Sequence, residues 1–210
     1  NEYVIQRLPD LNAASQLFDD GVWQGVDSQT LTHVMPGSGS HRPTTRFKLA
    51  RDSEGIRVAF QVGDRYLCAA TTENQGPVCN DSCVEFFFVP GDDVTKGYFN
   101  LEINCLGVAL FHFQTLPRRN PVRVIAPDAF DGLQIKTSLT APLPDVDKDC
   151  VWSIACHVPF SVLEAHVSFS RPEAGDVWRG NVYKCADACG HPHWLTWAHV
   201  ESERPDFHRP

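Results

Sequence analysis

Basic residues are scarce in this chain. Lys and Arg total 18 against 26 Asp and Glu, a net charge of −8. No basic stripe offsets that balance, which argues against a sequence-blind nucleic-acid binder and against a protein held on an anionic membrane surface. Long apolar runs are also missing: none approaches the roughly 18 residues that a spanning helix needs. Methionine occurs once, at Met35, against 13 Phe and 5 Trp. Helical periodicity is poor, with short turns expected only at 11–18 and at 161–166. There is no internal repeat, low-complexity tract or linker. An apolar fraction of 42% and a charged fraction of 21% exclude a disordered chain. The first residues, Asn1-Glu2-Tyr3, carry no basic or apolar leader pattern and read as a mature or trimmed chain.

What is present has a period of two. Arg46–Ala50 and Ile56–Val62 alternate around the turn Asp52-Ser53-Glu54-Gly55 and read as a hairpin. Val84–Val89, Tyr98–Asn104 and Val108–Gln114 follow, then Leu133–Leu139, Val151–Val158 and Val177–Cys185. With 14 Gly and 15 Pro supplying turns, the expectation is an all-β fold. It is an antiparallel β-sandwich or jelly roll with few short helical turns, in a single domain over 1–210.

If residues of the strands at 84–89 and 98–104 pair so that their numbers sum to about 187, each strand splits into two faces. Val84, Phe86 and Phe88 then share an apolar face with Phe99, Leu101 and Ile103, and the next hairpin adds Ala109, Phe111 and Phe113. The other face holds Asp81, Cys83, Glu85 and Phe87 beside Asn100, Glu102 and Asn104, with His112 opposite Asn100. Glu85 falls directly across from Glu102, and like charges there repel. A cation, a shared proton or a network of sugar hydroxyls could relieve the pair. Arg57, Arg179 and Lys184 are the candidate cations. A solvated polar face and a concave binding face both fit this pattern.

Asp81-Ser82-Cys83-Val84-Glu85-Phe86-Phe87 and Gly97-Tyr98-Phe99-Asn100-Leu101-Glu102-Ile103-Asn104-Cys105-Leu106-Gly107 together resemble the family-nine carbohydrate-binding modules. More narrowly, they resemble the family-nine-like, DOMON-related proteins. Trp152-Ser153-Ile154 with Val158-Pro159-Phe160 fits, as do Trp178–Lys184, His191–Trp197 and Pro205–Pro210. The resemblance runs from about Trp23 to the end. It implies a β-sandwich that binds carbohydrate without cleaving it, in support of a glycan-degrading enzyme and in an extracytoplasmic setting. It also implies structural calcium, for which Asp81, Asp92 and Asp93 are turn-borne oxygen donors. The family clamps a sugar between two tryptophans, and Gly76–Asn80 has no aromatic for one half of that clamp. Glu102 stands where the founding modules carry a basic residue.

Sugar recognition needs flat apolar surfaces and planar polar groups. The candidate ligand-binding residues are therefore Glu85, Glu102, Asn104, Arg179, Asn181, Trp194 and Trp197. Trp194 and Trp197 sit in a Pro-flanked, non-periodic segment expected to be a loop, where they either stack on ligand or pack beneath it. Trp23, Trp152 and Trp178 read as structural. The run from Cys185 to His193 offers Cys185, Cys189, His191 and His193 as metal ligands, at a spacing that is no common zinc motif. Cys79-x3-Cys83 echoes it, and Cys83 and Cys185 both point to the polar face. A disulfide among Cys79, Cys83, Cys185 and Cys189, a metal site and free thiols remain open. Two further functions are alternatives. A glycosidase could use Glu85 and Glu102 as its carboxylate pair. A DOMON-like haem domain would need axial ligands, and no His/Met pair around Met35 is placed by the pattern.

Overall fold

The computed structural model describes residues 1–10, 17–115, 122–140 and 143–209. Within these, 13 strands form two sheets. They are β1 (Gln6–Arg7), β2 (Gln29–Thr30), β3 (His33–Val34), β4 (Thr44–Arg51), β5 (Gly55–Ala69), β6 (Cys83–Val89) and β7 (Tyr98–Asn104). Then come β8 (Ala109–Gln114), β9 (Val122–Val124), β10 (Gln134–Thr137), β11 (Leu143–Pro159), β12 (Arg179–Cys185) and β13 (Trp194–Thr196). Two short α-helices are described, α1 (Pro127–Phe130) and α2 (Phe160–Glu164), besides three single 3-10 turns. The second matches the turn expected at 161–166; the one expected at 11–18 falls mostly outside the described residues. One sheet runs β1-β4-β5-β11-β10, with β2 also on β4. The other runs β3-β13-β12-β6-β7-β8-β9. All neighbours are antiparallel except β1 and β4.

The sandwich forms because alternation gives each long strand one apolar face. Val84, Phe86, Phe88, Phe99, Leu101, Ile103, Ala109, Phe111 and Phe113 pack on Phe47, Val58, Phe60, Val62, Trp152 and Ile154 in one buried cluster. Each such large side chain contributes roughly 1.5–3 kcal/mol on burial. Trp152 is at the centre, Trp178 stacks on Phe88, and Trp23 is buried with Leu8 and Phe18. The β6–β7 register is the expected one, with Cys83 opposite Asn104, Glu85 opposite Glu102 and Phe88 opposite Phe99. Gly97 enables the return: its φ is +102°, and a Cβ there would lie 2.6 Å from the Gln114 carbonyl oxygen.

One expectation changes. Trp194 lies in strand β13 and Trp197 just beyond it, not on a free loop. Leu195 and Thr196 pair with β12 on one side and β3 on the other, so backbone hydrogen bonds hold this segment despite its lack of periodicity. Among the open readings of the cysteines, the free thiols hold for three of the four, and the one bridge leaves that set. Cys189 bonds to Cys68, which is in β5, and Cys79, Cys83 and Cys185 are free thiols. The bridge, with Cα atoms 5.9 Å apart, ties the β12–β13 connection to the opposite sheet. Sequence spacing could not reveal this pairing because it spans 121 residues.

Candidate functional site

The outer face of the second sheet is built by alternation on β12, β6, β7 and β8. One row runs Tyr183, Glu85, Glu102, Leu110. The next runs Cys185, Cys83, Asn104, and on the other side lie Asn181, Phe87, Asn100 and His112. This face is polar but covered. Glu85 is 3% exposed and Glu102 6%.

The cover comes from the segment that ends the described chain. Phe207 stacks on Tyr183 with centroids 4.2 Å apart, and the Tyr183 hydroxyl donates to the Phe207 carbonyl. His208 lies 5.0 Å from the Phe87 ring, with its Nδ1 2.7 Å from the Tyr98 hydroxyl. Met35, Val78 and Val200 complete the cluster. A hydrogen-bonded chain runs inward from this strap. Gln114 Nε2 faces His208 and donates to Asn100 Oδ1, and Asn100 Nδ2 donates to Glu102 Oε1 at 3.0 Å.

The acid pair has no ion-pair partner among the described residues. Burial, reinforced by the neighbouring Glu102 charge, drives Glu85 well above the ordinary carboxylate range. Burial pushes Glu102 up to about 7, against the hydrogen bond from Asn100. Protonation therefore relieves the repulsion that the sequence exposes. The Cys185 thiol donates to Glu85 Oε1 at 3.0 Å. Burial raises both neighbouring thiols, Cys83 to about 11.

None of the candidate cations lies between the acids. Arg57 pairs with Asp52 beside the β4–β5 turn, in the other sheet. Arg179 is exposed, pairs with Val89 and donates to the Asp92 carbonyl. Val89 is four residues from Glu85, about 13 Å along the strand. Lys184 alternates with Tyr183 and Cys185, so it points into the core, where it meets Asp64 and His193.

The other candidates separate in the same way. Asn104 donates to Thr71 O and Asp81 Oδ2 and accepts from Leu106 and Val108, which uses its full hydrogen-bonding capacity on the turn. Asn181 likewise braces Val182 and Ala198. Trp197 is 9% exposed and packs edge-on against Phe47, which makes it a core residue. Trp194 stays at the rim, half-buried, with its Nε1 on Asp187.

The run Cys185, Cys189, His191, His193 does not converge. Cys189 is in the disulfide, His191 stacks on Tyr66, and His193 is buried against Lys184. Two of the calcium candidates have hydrogen-bond partners of their own. Asp81 accepts from Ala70 N, Thr71 N and Asn104 Nδ2, and Asp93 accepts from Thr95. Among the described residues the group of acid, His and Cys ligand atoms that does converge is Cys83, Glu85 and Cys185. Met35 is packed under the strap. Pro205–Pro210 carries part of the family resemblance, but its packing over the acids leaves no signal in the sequence, because Phe207 and His208 belong to no periodic segment.

A two-sheet sandwich with a face of carboxylates, amides and aromatic rings is an architecture that carbohydrate-binding modules use, and the family comparison assigns the class. The chain matches carbohydrate-binding family 9 over residues 19–210, and it belongs to that family. It is similar to a protein of Bacteroides uniformis described provisionally as carbohydrate-binding, with 26% identity and a TM-score of 0.84 over 98% of this chain and 93% of that one. It also shares its fold with a family 9 module of Caldicellulosiruptor kristjanssonii. The glucose complex of that module gives 15% identity and a TM-score of 0.60 over 93% of this chain and 85% of that one. Its cellotriose complex gives 13% and 0.62 over 93% and 84%. Among curated proteins none matches the chain.

Proposed function

We propose that this domain binds a poly- or oligosaccharide without cleaving it and holds it for a glycan-degrading enzyme outside the cytoplasm. Membership of carbohydrate-binding family 9 carries the reading. The relative bound to glucose and cellotriose supports it through the shared fold. The Cys68–Cys189 disulfide fits an oxidising compartment. The outer face of the second sheet supplies the chemistry. Glu85, Glu102 and Asn100 offer planar hydrogen-bonding groups, and Phe87, Tyr98 and Tyr183 offer flat apolar rings. Phe207 already lies on Tyr183 as the C–H face of a sugar would, so ligand enters by displacing the 207–208 segment, with Trp194 at the rim.

Calorimetry with glucose, cello-oligosaccharides and a glycan panel tests this on the folded chain and on a Phe207→Ala/His208→Ala variant. Binding in the micromolar to millimolar range is expected, tightened several-fold in the variant and weakened at least tenfold by Glu102→Gln. No binding by either protein, with the fold intact by circular dichroism, overturns the reading. Turnover of an oligosaccharide that disappears in Glu85→Gln would instead favour a hydrolase.

A further inference from the structure

Six of the eight cysteines are free, and they are not alike. Cys105 and Cys156 are buried within the apolar core cluster. Cys83 and Cys185 are cross-strand partners on the central strands β6 and β12. Glu85, two residues on from Cys83, faces the same way, and its Oε1 is 3.0 Å from Cys185 Sγ. The two sulfurs and a Glu85 oxygen all lie within 4.8 Å of one another. A tetrahedral zinc ion with sulfur at about 2.3 Å and oxygen at about 2.0 Å holds such ligands roughly 3.5–3.8 Å apart. Closing the cluster therefore takes shifts of about an ångström at most.

We propose that Cys83, Cys185 and Glu85 form a binding site for one thiophilic divalent cation of the zinc type. Two thiolates and a carboxylate suit such an ion better than they suit calcium or magnesium. The backbone supports it, because all three ligands stand on paired strands and need no loop to order. The surroundings support it too: Lys184, the cation near Glu85, points to the other side of the strand and pairs with Asp64, so no ion pair meets the Glu85 carboxylate among the described residues, and binding supplies a positive charge there. The thiols and Glu85 give up their protons on binding, so loading is favoured by rising pH.

The test uses the full chain, reduced and freed of metal, with zinc chloride and cobalt chloride as probes. One equivalent of zinc should remain after gel filtration, by elemental analysis, and should raise the melting temperature. Cobalt should give a thiolate charge-transfer band. Cys83→Ser and Cys185→Ser should each weaken zinc binding more than about a hundredfold, whereas Cys150→Ser leaves it unchanged. A glutamate variant, Glu85→Gln, guards against loss of fold in the serine variants and should weaken binding at least tenfold. Substoichiometric zinc in the reduced wild type, a charge-transfer band that survives both serine substitutions, or a native Cys83–Cys185 disulfide overturns the proposal.

Discussion

Strand β12 separates two buried polar groups that differ in one respect. On its inner side, Lys184 Nζ is 3.7 Å from Asp64 Oδ2 and 2.9 Å from His193 Nε2, and His41 Nε2 is 2.6 Å from Asp64 Oδ1. Burial alone would raise the Asp64 carboxyl, but the Lys184 charge and the His41 bond bring it below its ordinary range. Burial and the Lys184 charge push His193 down to about 3, so it is neutral and accepts from the ammonium. On its outer side, Glu85 and Glu102 face each other with no such partner, and both are raised. The same strand thus carries one buried carboxylate that keeps its charge and a pair that takes up protons. Burial is common to both; the adjacent cation decides the outcome.

Removing that cation should have the largest effect. Lys184→Met takes the ammonium away from buried Asp64 and leaves the carboxylate only its His41 and Arg65 N–H bonds, and should cost about 3–5 kcal/mol in denaturant unfolding. Adding Asp64→Asn should restore much of the loss. A Lys184→Met protein as stable as wild type would show that the inner group is not held by charge.

The outer pair should respond in the opposite sense. Glu102 is raised to about 7 in the folded state from an ordinary 4.5, so the native protein binds a proton that the unfolded chain releases. Its contribution is fully present below about pH 4.5 and is lost as the pH rises through about 7. Glu102→Gln should therefore stabilise the metal-free protein by about 1–3 kcal/mol at pH 8 and flatten that slope. Thermal melts across pH 4.5–8 check it, and an unchanged slope would place the titration elsewhere.

The strap gives a smaller effect that sharpens the same contrast. Phe207→Ala should cost about 1–2 kcal/mol, because its ring belongs to the smaller cluster over the acids and not to the central core. By admitting water it should also lower the apparent Glu102 titration, followed by carboxylate NMR, while the Asp64 titration stays in place. Arg179→Ala should do least, within about 0.5 kcal/mol, with neither group's titration moved.

The contrast also marks what a sequence can convey. The Glu85–Glu102 register was legible because Gly97 and two alternating runs fix the hairpin. The inner group was not, although alternation alone sets Lys184 apart from Tyr183. A lysine on the inner side needs buried partners, and those of Lys184, Asp64 and His41, lie more than a hundred residues away in the chain, where spacing carries no sign of them. Asn104 and Asn181 looked like ligand contacts because residue type does not reveal which hydrogen bonds the backbone already claims. The cover over the acids rests on one stacked ring and one histidine, and neither leaves a periodic signal.

The order of strands in the second sheet has a kinetic consequence. β13 is wedged between β12 and β3, and β12 is the neighbour of β6. The early hairpins from β6 to β8 can pair as soon as they are made, but β3 must wait for a partner that lies more than 150 residues downstream. Pairing across such separations is slow because the loop must close before any contact rewards it. The acid face is therefore expected to stay open to water until late in folding, so Glu85 and Glu102 would be ionised through most of the process and take up protons only in its final stage.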